Sequence, residues 1–252
     1  MAVTDAPDPV RGPARPPSGP DLPFDLVHRG GLRVTAPMTT AKRKRRALSA
    51  DRIAAEAMAL VDEGGIDALS FRSLAARLKC QAMSLYHYYP SKQHLIDALV
   101  SICLAETPVP GPDLVFRARL HEFCLRYRAT ALRHPGFAQI LTTHRLNHRD
   151  GLAWLDACVR MFDQPGCRLT KERTATLFRV LSYFITGAAV DEALGYAKGP
   201  SAAVPVPADE AKRDFPAILG IGAYFGKENH LGFYEEGLAV ILDWIEAEIA
   251  AA

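Results

Sequence analysis

A chain of 252 residues, 49% hydrophobic and 23% charged, can bury a sizeable core in one or two domains. Its formal net charge of +2 does not by itself announce a nucleic-acid partner, so the placement of charge matters more than its sum. Five cysteines without a C-x-x-C pair fit reduced thiols in a cytoplasm, no apolar run reaches a membrane span, and the start lacks the apolar core of a secretion signal; a cytoplasmic protein with no membrane partner is expected.

Residues 1–40 hold eight of the eighteen prolines, few large apolar side chains and no sustained period. Such a stretch cannot bury enough surface to offset its ordering entropy and reads as a disordered extension. The alternative, equally open, is that translation begins at Met38. A basic arm over 41–48 follows, carrying Lys42, Arg43, Lys44, Arg45 and Arg46. A charge run is usually a solvated tail, but directly ahead of a helix a flexible cationic arm can reach phosphates or the minor groove.

The segment 49–106 reads as four helices. Ser49 caps the first, which places Ile53, Ala57, Leu60 and Val61 on one face and ends at Gly64-Gly65. Ser70 caps the second, with Phe71, Leu74, Ala75 and Leu78 inward. Lys79-Cys80-Gln81 breaks the chain, and Ala82 to Tyr89 forms a third before Pro90. Two helices joined by so short a turn fit a helix-turn-helix, whose second helix can enter a DNA major groove. They fit a buried αα-hairpin as well, and periodicity does not separate the two. Ser91 caps a fourth helix with Leu95, Ile96, Leu99, Val100 and Ile102 buried, and Thr107 to Pro112 stops it.

Residues 113–252 are also helical: Asp113–His134, a short piece over Phe137–Thr143, Gly151–Phe162, Thr170–Ala197 and Phe233–Ile249, with Ala202–Pro207 a loop. No stretch alternates with period two for long enough to argue a sheet, so the fold is all-α. No phosphate-cradling glycine loop, H-E-x-x-H or G-x-S-x-G occurs. His121, His134, His144 and His148 read as dispersed, and Asp191 and Glu192 as helix-surface carboxylates, with orienting a bound molecule as their alternative. An enzyme is therefore not expected, nor a cofactor, nor a metal site.

The run from Leu69 to Leu78, then Ser84 to Lys92 with Leu95 and Ala98, resembles the DNA-binding domain of TetR-family transcriptional regulators, and Ile53 to Gly65 resembles that family's first helix. Two departures stand out: Lys79 where members usually have glycine, and Gln81 where Ser or Thr often caps the recognition helix. The resemblance implies an N-terminal three-helix DNA-binding domain with a helix-turn-helix, and a C-terminal helical ligand-binding and dimerisation domain. It implies that Ala82, Met83, Tyr86 and His87 face the bases, with Gln81 able to bond an adenine edge. Arg72, Tyr88 and Lys92, and less directly Ser84, would grip phosphates. Tyr127–Leu141, Gly187–Glu192 and Phe233–Glu246 resemble, more loosely, the regulatory domain of tetracycline-repressor-like members. Leu141 stands where those have a metal-coordinating histidine, with His144 three positions on, so a magnesium–tetracycline inducer is not expected.

These readings combine into a homodimeric regulator, a repressor released from a double-stranded, pseudo-palindromic DNA operator by a small-molecule effector. The effector would be lined by some of Phe123, Tyr127, Trp154, Phe178, Tyr183 and Phe184, and the dimer built on Thr170–Ala197 and Phe233–Ile249. A constitutive DNA-binding protein without effector, and an all-α enzyme, are the alternatives. A chain beginning at Met38 should match the full chain in thermal stability and DNA affinity; a marked loss of stability would show that residues 1–37 pack on the core.

Overall fold

The computed structural model describes residues 47–136, 140–141, 144–194 and 204–252. The proline-rich extension, the basic residues Lys42 to Arg46 and most of the expected 137–143 helix lie outside these. All regular structure among the described residues is helical: α1 (Ala50–Gly64), α2 (Phe71–Leu78), α3 (Ala82–Tyr86), α4 (Lys92–Glu106), α5 (Phe116–Arg133), α6 (Arg149–Val159), α7 (Lys171–Leu194), α8 (Ala208–Asp214), α9 (Pro216–Gly222) and α10 (His230–Ala250).

Serine caps start three of the first four helices. Ser49 Oγ accepts from Arg52 N at 3.3 Å and Ser91 Oγ from His94 N at 3.4 Å. At Ser70 the capping is reciprocal: its Oγ accepts from Ser73 N at 3.0 Å while Ser73 Oγ accepts from Ser70 N at 3.1 Å. Each such cap contributes about 1 kcal/mol. Gly65, at φ 73°, ends α1 in a conformation that side chains avoid.

The turn between α2 and α3 is set by two backbone bonds, Cys80 N to Ala75 O at 3.0 Å and Lys79 N to Ala76 O at 3.2 Å. They satisfy carbonyls that the end of α2 would otherwise orphan, and they require a left-handed residue between them. That residue is Lys79, at φ 56° and ψ 45°. The departure from glycine noted in the sequence thus carries backbone strain without altering the turn.

Several boundaries differ from the sequence reading. Helix α3 ends at Tyr86, not Tyr89, because Tyr88 N and Tyr89 N both turn back to Leu85 O and the residue before Pro90 is driven out of helical geometry. Helix α6 starts two residues early and tightens into a 3-10 turn over Arg160–Phe162. The short helices α8 and α9 had no periodicity to reveal them, since no residue of either is buried.

One hydrophobic core runs through the described residues. It takes Ile53, Ala57 and Val61 from α1, Leu74 and Leu78 from α2, Leu95, Leu99 and Val100 from α4, Leu120 and Phe123 from α5, and Leu177, Leu238 and Ile245 from α7 and α10. The stretch after α4, expected to stop that helix, lies partly inside this core: Thr107 and Pro110 are buried. Its carbonyls are matched one by one, Trp154 Nε1 donating to Thr107 O (2.8 Å), Arg126 Nη1 to Pro108 O (3.1 Å) and Arg119 Nε to Pro110 O (2.8 Å). A second tie joins α1 to the end of α5, where His134 Nδ1 lies 2.8 Å from Asp62 Oδ2 and Gly136 leaves room for Val61.

Replacing Lys79 by glycine removes the left-handed penalty, about 1–2 kcal/mol, against a glycine entropy cost of about 0.5–1 kcal/mol. K79G should therefore raise the unfolding free energy by up to about 1.5 kcal/mol, read as a higher urea midpoint at unchanged slope, and a lower midpoint would show that the lysine side chain stabilises the turn.

Candidate nucleic-acid interface and ligand site

The third helix is five residues long and sorts its side chains sharply. Leu85 is fully buried and anchors it, while Met83 is 70% exposed and Gln81, Tyr86 and His87 are also exposed. Ala82 and Ser84 are half-buried at its foot. Gln81 occupies the capping position without bonding the helix through its side chain, which leaves the amide available. Tyr86 stacks on Phe71 of α2 with ring centroids 4.4 Å apart, so it supports the helix while one edge faces outward.

The residues expected at phosphates divide. Arg72 is exposed on α2. Lys92 is exposed at the start of α4, with one of its three N–H donors directed to Ile66 O at 3.1 Å. Tyr88 differs from the expectation: its hydroxyl donates to Leu48 O at 2.9 Å, so its single proton is committed to the segment leading into α1. Tyr89 does the same for Ala50 O at 3.1 Å. In this arrangement the two tyrosines fix where the chain preceding α1 leaves the domain. Arg77, an exposed base on α2, is held by Glu56 and Glu63, which raises its pKa further and lowers that of Glu63.

In the larger half, five of the six aromatic candidates lie in a common interior. Phe123 and Trp154 rings are 5.6 Å apart, and Phe184 is 5.6 Å from Tyr234. Phe178 meets Phe162 edge to face, and Tyr127 OH is 3.2 Å from Thr186 Oγ1. Burial pushes the Tyr127 hydroxyl up to about 12, so it stays protonated and neutral. Tyr183 is not with them; it is 68% exposed beneath Arg179.

A shallow cleft of about 120 Å³, open to solvent, reaches this interior at Tyr234. Ala188, Asp191 and Glu192 of α7 line it together with His230 and Phe233 of α10. Glu192 is not the surface carboxylate expected: its side chain is 15% exposed and pairs with Arg128, whose Nε lies 2.7 Å from Oε2. The guanidinium also lies 5.6 Å from the centre of the Tyr234 ring. Sequence reasoning missed this pair because Arg128 and Glu192 are 64 positions apart. Gly237 lets α10 approach α7, since a side chain there would begin 2.6 Å from Phe184.

The histidines read as dispersed are not all so. Asp97 of α4, His144 and His148 bring three ligand-type atoms within 4.8 Å of one another. No helix among the described residues is long and apolar enough to cross a membrane.

Known proteins match both halves. Residues 47–99 match the model of bacterial regulatory proteins of the tetR family, and residues 108–249 that of the tetracyclin repressor-like C-terminal domain. The chain is 30% identical over 201 residues to the class A tetracycline repressor protein from transposon 1721 of Escherichia coli, covering 74% of this chain and 85% of that one. It is 26% identical over 218 residues to the HTH-type transcriptional repressor DrrR1 of Streptomyces coeruleorubidus, covering 81% and 79% respectively. Among solved structures, ActR of Streptomyces coelicolor in complex with actinorhodin superposes with a TM-score of 0.61 at 25% identity, over 80% of this chain and 98% of that one.

Proposed function

Since this chain belongs to the TetR family of bacterial regulatory proteins, we propose that it is a homodimeric, effector-responsive repressor that reads a pseudo-palindromic operator through α3. The observation that carries the reading is the sorting on that helix, with Leu85 wholly inside and Gln81, Met83, Tyr86 and His87 outside. Gln81 and His87 supply base-edge hydrogen bonds and Met83 an apolar contact, while Arg72 and Lys92 hold phosphates and set register. The basic arm, Lys42 to Arg46, adds non-specific affinity ahead of α1.

The effector is a partly apolar, uncharged or weakly acidic molecule that enters by the cleft at Ala188 and Phe233 and displaces aromatic side chains behind Tyr234. ActR, which holds actinorhodin, supports a ligand of organic, partly apolar character. Binding lowers DNA affinity only if the effector prefers the off-DNA arrangement, and α4, which packs on α1 on one hand and on α5 and α6 on the other, is the element that would carry the change.

Apolar surface supports the dimer. Tyr183 on α7 and Val240 on α10 are 68% and 69% exposed, Gly187 is open, and Phe215, Ile218, Ile221, Tyr224 and Phe233 are exposed nearby in sequence. A monomer rarely leaves so many large apolar side chains in water, and a second copy would cover them. Tyr183→Glu with Val240→Glu should give folded monomers by light scattering; an unaltered dimer would move the interface elsewhere.

Selection of bound fragments from random duplex supplies the operator, after which variants are compared across several salt concentrations. Lys92→Ala should weaken binding to every sequence and flatten the log–log salt dependence by about one unit. Gln81→Ala and His87→Ala should each relax preference at particular bases by about 1–3 kcal/mol. If the lysine variant alters base preference while the other two leave it intact, α3 docks in another way.

A further inference from the structure

The three side chains gathered at α4 have a use that DNA reading does not assign them. Asp97 lies on α4, and His144 and His148 lie in the segment entering α6. His144 Nε2 is 2.7 Å from Asp97 Oδ1, and His148 Nδ1 is 4.0 Å from the same oxygen.

The positions of the protons decide what this cluster can hold. Ser101 Oγ donates to Asp150 Oδ2 at 3.3 Å and lies 3.3 Å from His148 Nε2. Its own proton being used on Asp150, the serine oxygen accepts from His148, so Nε2 carries the ring proton and Nδ1 is a bare lone pair. Nδ1 is buried and has no hydrogen-bond partner. It lies 4.0 Å from an Asp97 oxygen that is hydrogen-bonded to His144 Nε2, and with no proton between that oxygen and His148 a cation held by all three side chains would satisfy the unpartnered nitrogen. His144 is steadied through its other nitrogen, 3.1 Å from the side-chain amide of Gln93. That amide, turned over, accepts the Nδ1 proton and frees Nε2 as a ligand.

We propose that Asp97, His144 and His148 form a site for one divalent transition-metal ion, of which Zn²⁺ fits best. Two imidazoles and a carboxylate suit zinc and its neighbours, not magnesium or calcium, which take oxygen ligands. Tetrahedral bonds of about 2.0–2.1 Å place donor atoms about 3.3 Å apart. The 2.7 and 4.0 Å separations lie on either side of that value, so small side-chain rotations complete the site. Gln93 on one histidine and the Ser101–Asp150 pair on the other are outer partners of the kind that fix ring orientation in metal sites. A bound ion fastens α4 to the segment entering α6. Its effect on DNA affinity rests on the reading of α4 as the element that carries the change between effector and DNA sites, whereas the ion site itself does not.

The full-length chain, freed of metal by a chelator, is titrated with Co²⁺ and then Zn²⁺. The expected result is one ion per chain, with cobalt absorption of nitrogen and oxygen ligation and no thiolate charge-transfer band. Zn²⁺ should displace the cobalt. Asp97→Asn, His144→Gln and His148→Gln should each abolish stoichiometric binding at unchanged helical circular dichroism. Ser101→Ala should weaken it by at least about tenfold, and His121→Gln should leave it intact. No saturable binding by the unaltered chain overturns the proposal, which needs no variant to fold. A thiolate band, or binding that survives both Asp97→Asn and His148→Gln, overturns it equally. Affinity for selected DNA fragments is measured separately on the metal-free chain, so failure of the ion site and failure of DNA reading give different results.

Discussion

Helix α4 has to bury itself on more than one side, and the organisation of the molecule follows from that. Leu95, Leu99, Val100, Cys103 and Leu104 are all buried along its 15 residues, against α1 on one hand and α5 and α6 on the other. A helix so enclosed cannot shift without disturbing the packing at both of its surfaces. Its ends are tied too: Lys92 to Ile66 O near the start, and after its end Thr107 Oγ1 to Cys103 O and to Thr130 on α5. The first four helices therefore have no independent seat, since α4 is packed on α1 and on α5 and α6 at once.

The polar groups near this helix are distributed to match. One cluster joins Asp62, His134, Glu106 and Arg133. The other joins Asp97, Ser101 and Asp150 to His144 and His148. Both span sequence separations of more than twenty residues and both bridge the first four helices to the rest. Hydrogen-bonded ion pairs at partly buried sites add little net stability compared with apolar packing, but they select one arrangement over others.

The larger half combines an aromatic interior with a charged pair drawn in beside it. Arg128 and Glu192 are largely withdrawn from water, and the guanidinium lies over Tyr234, which in turn packs on Phe184. The same tyrosine donates to Cys124 O at 2.8 Å, so its three partners Arg128, Cys124 and Phe184 belong to α5 and α7. Of this group, Tyr234 and Glu192 form the inner wall of the cleft at Ala188 and Phe233. Burial also raises the thiols of Cys103 and Cys158 well above their ordinary range and that of Cys124 to about 12, so none of the three is a reactive nucleophile at neutral pH.

What the sequence determined by itself was local. Ser49, Ser70 and Ser91 marked helix starts because a cap needs only its own next three residues, and the spacing of Leu74, Leu78 and Leu85 marked inward faces because helical period is a property of the segment. The outward residues of α3 and the sharp turn at Lys79 were expected from the family resemblance, because periodicity alone fits a buried αα-hairpin equally well. The tertiary structure decided whatever depended on partners distant in the chain. It committed the Tyr88 hydroxyl to Leu48, withdrew Glu192 from the surface by pairing it with Arg128, turned Tyr183 outward from the aromatic interior, and set Asp97 against His144 and His148. No spacing rule could have given these, because each is fixed by how separate helices pack and not by the period of any one of them.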